Sequence, residues 1–119
     1  MTREVMVDGI PVMMKCSGAT YIKYRAEFHE DLFSRIQKIV EAIQDGDTMP
    51  DGAVETLLKA AYIMAKQATP SDGRNFEDWL DQFSLIGAID NVQGVYDLLL
   101  ADRETLEEPK KKNDQQSGK

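Results

Sequence analysis

An Asp8-Gly9 pair stands between two short apolar runs, Val5-Met6-Val7 and Ile10-Pro11-Val12-Met13-Met14. In a two-residue hairpin turn both central positions take positive φ, a conformation that Asp and Gly tolerate and most residues resist. The spacing predicts a β-hairpin over about residues 4–14. Counting outwards from the turn sets Val7 opposite Ile10 and Val5 opposite Val12 on one face. Pro11 then falls opposite Met6, where its missing N–H faces away from the partner strand and marks an exposed edge. Two strands alone are marginal in water, so this hairpin must pack on helices or pair with another chain.

After Ser17-Gly18 the apolar spacing changes to that of helices. Thr20 to Phe28 carries Tyr21, Tyr24 and Phe28. Glu30 to Gln44 carries Leu32, Phe33, Ile36, Ile39, Val40 and Ile43 as one stripe, and Asp45-Gly46-Asp47 ends it. A third helix is expected from Pro50 or Asp51, with Thr48 as cap, to about Gln67. Its buried face should be Val54, Leu57, Leu58, Ala61, Met64 and Ala65. Thr69-Pro70-Ser71-Asp72-Gly73 reads as a loop, and Asn75 caps a short helix bearing Phe76, Trp79, Leu80 and Phe83. A last helix over about 90–102 carries Val92, Val95, Tyr96, Leu98 and Leu99, weakened at Gly94 by about 1 kcal/mol relative to Ala. From Arg103 onward Leu106 and Pro109 are the only apolar residues, too few to offset the entropy of ordering. The expected fold is mainly α: an N-terminal hairpin, a bundle of about four to five helices in one domain over residues 1–102, and a disordered polar tail over 103–119.

With 119 residues, 42% of them hydrophobic and 29% charged, the chain suits a single globular domain. A net charge of −7 repels phosphate backbones and removes the counterion-release contribution to DNA or RNA binding, so nucleic-acid partners are disfavoured. No run approaches the roughly 20 apolar residues of a membrane span, and no basic patch followed by an apolar block suggests a leader. The single Cys16 has no internal disulfide partner, in keeping with a reducing, intracellular setting.

Chemistry-bearing residues are sparse. His29 lies beside Glu30 and Asp31 with no nucleophile or orienting group at a familiar spacing. One Cys and one His cannot complete a zinc site alone. Asp45 to Gly52 resembles a calcium loop superficially, but an oxygen ligand is missing at Met49, Gly at Pro50 and Glu at Thr56. Gly46, Gly52 and Gly73 do not form a phosphate-binding signature. No catalytic, cofactor or metal residue is assigned. Trp79 is read as core with an interface anchor as the alternative, and Met6, Met13 and Met14 as adaptable side chains in the hairpin.

Three stretches recur in a known order: Tyr24-Arg25-Ala26-Glu27-Phe28-His29-Glu30-Asp31-Leu32, then Ala60-Ala61-Tyr62-Ile63-Met64-Ala65-Lys66, then Phe76-Glu77-Asp78-Trp79-Leu80-Asp81-Gln82-Phe83. Over about residues 5–100 this resembles the tail assembly chaperones of siphophages and prophages of low-GC Gram-positive bacteria. Many of those proteins have Gly where this chain has His29. The resemblance implies a protein without catalysis that binds the tape measure protein and helps recruit tail tube subunits. It implies action in the host bacterial cytoplasm, absence from the mature virion, and self-association as a homo-oligomer; from charge and hydropathy, neither nucleic acid nor membrane is expected as a partner. The hairpin residues Val5, Val7, Ile10, Val12 and Met13 are then candidates for self-association. Tyr62, Met64, Trp79 and Phe83, between the third and fourth helices, are candidates for binding the client. Lys110-Lys111-Lys112 suits the slippery site of a programmed frameshift, and a basic solubilising tail accounts for it as well. A regulatory adaptor of the antitoxin or anti-repressor type, and a structural virion part such as a head–tail connector, stay open as other classes.

Overall fold

The turn forms as its residues dictate, with Asp8 at φ 53° and Gly9 at φ 73°. The computed structural model describes residues 1–90 and 92–102, and the expectation of a disordered tail over 103–119 lies outside the described residues. Strand β1 (Thr2–Val7) pairs antiparallel with β2 (Ile10–Lys15) in the register read from the sequence, Val7 with Ile10, Met6 with Pro11 and Val5 with Val12. One further pair closes the open end. The Met1 ammonium donates to the Cys16 carbonyl at 2.8 Å, and the Cys16 N–H donates to the Met1 carbonyl at 2.8 Å.

Helix α1 (Gly18–Phe28) starts two residues before the expected Thr20, because Ser17 and Thr20 form a capping box. Helix α2 (Leu32–Asp45) is capped by Asp31, and Gly46 at φ 70° ends it. Helix α3 (Ala53–Ala68) starts later than expected. Gly52, at φ 78°, holds the cap position in place of Thr48, and no side chain caps the first turn. Asn75 caps α4 (Phe76–Leu80), its side-chain oxygen accepting the Asp78 N–H at 2.8 Å. Helix α5 (Leu85–Asp90) precedes the helix that the spacing predicts from about Asp90. Ser84 begins it, its hydroxyl accepting the Gly87 N–H at 3.1 Å, and residues 92–102 are helical beyond it. The fold is thus mainly α with an N-terminal hairpin.

Helix α3 is the hub, packing against β2, α1, α2 and α4. Residues Ala60, Ala61, Tyr62, Ile63, Met64 and Ala65 are all buried, so this stretch is covered on every side rather than along one stripe. Of the expected face, Leu57, Ala61, Met64 and Ala65 are buried, Leu58 is half-buried and Val54 is exposed, while Thr56, Ala60, Tyr62 and Ile63 are buried as well. On α2 the reverse occurs. Leu32, Ile36 and Ile39 are buried, yet Phe33 is 53% exposed and Ile43 is exposed too, because the stripe is wider than the contact that α1 and α3 provide. At the far end, Thr20 donates to Gln67 at 2.7 Å and Gln67 donates to Ser17 at 3.3 Å, tying the start of α1 to the end of α3.

The hairpin is locked to the last helices by two glycines seven residues apart. A Cβ at Gly94 would stand 2.9 Å from Val5 Cγ1, and one at Gly87 would overlap the Asp8 side chain. That same Asp8 carboxylate accepts the Ser84 backbone N–H at 2.7 Å and its hydroxyl at 3.1 Å. The glycine that looked like a helix weakness in the sequence is therefore a point of close approach.

In an open helix Gly→Ala raises stability by about 1 kcal/mol. Here Gly87→Ala is expected to lower it by about 1 kcal/mol, since Asp8 must give up both hydrogen bonds. In an Asp8→Gly background the sign should reverse. Urea midpoints of the four proteins test this, and an additive result would refute the lock.

Candidate functional site

The three sequence stretches that come in order along the chain meet in space through their aromatic rings. Tyr24 and Phe28 of α1 lie with ring centroids 5.1 Å apart, and Phe28 sits 5.2 Å from Phe76 of α4 and 6.2 Å from Tyr62 of α3. Tyr62 in turn lies 5.5 Å from Phe76 and 5.8 Å from Trp79, and Trp79 lies 5.1 Å from Phe83. The interplanar angles, 58° to 80°, are the tilted and edge-on arrangements that ring quadrupoles favour. Six rings, five from α1, α3 and α4 and Phe83 from the turn after α4, thus form one continuous layer. Its polar tips are satisfied at the rim. The Tyr62 hydroxyl donates to the Arg74 carbonyl at 2.9 Å. That loop is held by Arg74 forking onto Asp72 at 2.7 and 3.0 Å, which keeps the Asp72 carboxyl down at about 2.

At the other rim stands Glu30. Its Oε1 accepts the Tyr24 hydroxyl at 2.9 Å, Lys59 lies 3.4 Å away, and Arg35 reaches its other oxygen at 3.4 Å. Burial pushes the Glu30 carboxyl up, but the Tyr24 hydrogen bond and the Lys59 and Arg35 charges outweigh it and hold it below its ordinary value. Tyr24 is pushed the opposite way, above its ordinary range, by burial first and then by the Glu30 carboxylate. Lys59 also lies 5.1 Å over the Phe28 ring, so one ammonium joins the charged rim to the aromatic layer.

The structure places all four residues named for the client in the interior, where Trp79 and Met64 were also expected as core. Tyr62 and Trp79 are 2% exposed, Met64 is fully buried and Phe83 is buried. The gap between α3 and α4 is filled by their own rings, so these four residues build the interior and offer no open groove. Most of the hairpin residues named for self-association also face the core. Val5 and Val7 are buried, and Ile10 and Val12 are half-buried against the core, because this face turns inward. Of the five named residues Met13 alone is exposed, and the outward face carries Met6, Pro11 and Met13.

The apolar surface that remains lies largely where the sequence reading placed nothing. On α5, Leu85 is 74% exposed and Ile86 66%, with Ile89 beside them. Gly87 turns towards the hairpin, and these three side chains occupy the opposite side of the helix. The signal was present in the sequence, since Ser84 is a good cap and Leu85 and Ile89 are one turn apart. Their exposure was not, because nothing local distinguishes them from Trp79.

His29 ends α1 at φ 59° and ψ 34°, the left-handed conformation in which Gly is common, and this accounts for its place as a turn residue. The Cys16 thiol is fully buried, and burial, followed by the nearby Asp102 charge, pushes it up to about 11. It is a protonated, inert thiol at neutral pH. Among the described residues no cluster of His, Cys, Asp or Glu could hold a metal ion, and no helix is long and apolar enough to cross a membrane. Comparison with protein-family models, with characterised proteins and with solved structures returned no match.

Two outcomes are expected from the rims. Because the Glu30 carboxyl is lowered in the folded chain, its contribution is complete above the unfolded value of about 4.5 and is lost as the pH falls through the folded value. Glu30→Gln should therefore cost about 1 kcal/mol at neutral pH, and the difference should shrink in acid; equal losses in urea melts at both pH values would rule out the linkage. At His29, substitution by Gly should leave the chain about 2 kcal/mol more stable than substitution by Val, which resists positive φ. Thermal melts giving equal values would show that the position is not held left-handed.

Proposed function

We propose that the chain is a non-enzymatic assembly chaperone of a long-tailed bacteriophage. It works in the host cytoplasm, keeps the tape measure protein soluble and helps recruit tail tube subunits. The exposed aliphatic triad Leu85, Ile86 and Ile89 carries this reading on the structural side. Contiguous apolar side chains on a capped helix contribute little to folding, and such patches mark surfaces that a partner covers. The acidic residues Asp81 and Asp90 flank the triad, and the overall charge of −7 keeps a chain with such a patch soluble. A long helical client with apolar side chains along one face suits a surface of this kind. The ordered set of three sequence stretches supports the same family, and the outward hairpin residues Met6 and Met13 provide a second surface for self-association. On this reading the client surface is the α5 triad, away from the ring layer.

Co-expression with a siphophage tape measure protein tests both levels. The wild-type chain should bring the tape measure into the soluble fraction as a complex. Leu85→Asp with Ile86→Asp should lose the complex while its thermal melt stays within about 0.5 kcal/mol of wild type, as for surface changes. A double variant that still solubilises the client would remove the α5 surface. A wild-type chain that leaves the client insoluble would remove the chaperone reading itself.

A further inference from the structure

Charge is distributed unevenly along the chain. Residues 75–102 hold Glu77, Asp78, Asp81, Asp90, Asp97 and Asp102 and no Lys, Arg or His, so this stretch alone carries −6 of the net −7. Over residues 1–74 acids and bases are interleaved and several pair, as Glu30 does with Lys59 and Arg35, and Asp72 with Arg74. Asp102 is buried, 3.8 Å from the Met1 ammonium. The other five acids of the stretch are exposed, and among the described residues none of them has an ion-pair partner.

The apolar triad of α5 sits inside this stretch, with Glu77, Asp78 and Asp81 before it and Asp90 and Asp97 after it. Asp90 lies one turn of α5 from Ile86, so the carboxylate borders the triad directly. Asp90, Gln93 and Asp97 line a groove of about 320 Å³ against β1. There Glu4 adds a further carboxylate and Met6, 49% exposed, adds apolar surface. Arg3 is the one base in the lining.

Solubility alone is served by charges of both signs interspersed, as over residues 1–74. A field of one sign beside apolar side chains instead selects a partner by charge. It repels a second copy, whose equivalent surface in an isologous contact is negative too. Anionic lipid and nucleic acid are repelled for the same reason. Resting on the α5 triad as the client surface, we propose that the segment it takes is a basic amphipathic helix. Its apolar side chains, spaced three and four apart, cover Leu85, Ile86 and Ile89, and its Lys and Arg side chains face Asp90 and Asp97. Charge then speeds the encounter and sets the orientation, while the triad supplies the apolar contact.

The probes are synthetic helical peptides of about 14 residues, one of leucine and lysine and a twin with glutamate in place of lysine. Titrated into the 15N-labelled full chain, the lysine peptide should shift the amides of Leu85, Ile86, Ile89 and Asp90, and the twin should not. Its Kd should rise about tenfold in about 0.5 M NaCl. Asp90→Asn with Asp97→Asn should raise Kd about tenfold as well. Glu41→Gln with Asp45→Asn changes the net charge equally at exposed positions of α2 and should leave Kd unchanged. The proposal is overturned if the lysine peptide shifts none of these amides, if the twin binds as tightly, or if both double variants weaken binding alike. Where the wild-type chain still solubilises the tape measure protein, such a result removes the preference for bases alone. A chain that leaves the tape measure protein insoluble removes the chaperone reading instead, whatever the peptides do.

Discussion

A helix buried on every side sets terms for everything around it. The stretch Ala60 to Ala65 of α3 contributes no solvent face, so each of its sides must be closed by a different element. β2 closes one side, α1 and α2 others, and α4 a further one. The three alanines in this stretch let neighbouring backbones come close, while Tyr62, Ile63 and Met64 fill the wider gaps. A two-stranded hairpin and a five-residue α4, each too short to be stable alone, gain their order from this one surface.

The aromatic layer is the specific part of that packing. Tyr62 is its centre, touching Phe28, Phe76 and Trp79, and its hydroxyl is satisfied by the loop carbonyl of Arg74. The layer therefore joins α1, α3 and α4 through Tyr62, with a direct Phe28–Phe76 contact between α1 and α4 beside it. Glu30, Lys59 and Arg35 close one rim and the Asp72–Arg74 fork closes the other. No buried side-chain nitrogen or oxygen is left without a hydrogen bond among the described residues. Interior saturation of this kind leaves the outer surfaces as the places where the chain can meet other molecules. These include the α5 triad and the outer hairpin face.

At the opposite end, the hairpin and the last helices depend on each other through Asp8. One carboxylate fixes the turn region against Ser84, which in turn caps α5, and Gly87 leaves the room for it. Sequence separation across this contact is 76 residues, so the first and last parts of the domain form one cooperative unit. Gly94 beneath Val5 repeats the arrangement one heptad on.

Local rules were enough for much of this. The hairpin register followed from Asp8-Gly9 alone, because positive φ at two consecutive positions leaves one two-residue turn, and period-two alternation does the rest. The helical segments followed from apolar spacing, with boundaries misplaced by a few residues wherever a cap such as Ser17 or Gly52 was not recognised. The site was far less legible. Trp79, Phe83, Leu85 and Ile86 are neighbours of similar hydrophobicity, yet the first two are interior and the last two face solvent. Periodicity states which residues share a face. It does not state whether another element arrives to cover that face, since this depends on packing between residues far apart in sequence. The sequence by itself determined the turn, the register and the run of helices, all of which are set by backbone geometry over a few residues. Only the tertiary structure decided that the rings of three segments share one buried layer and that the apolar residues of α5 are surface, because burial is a property of the assembled neighbours.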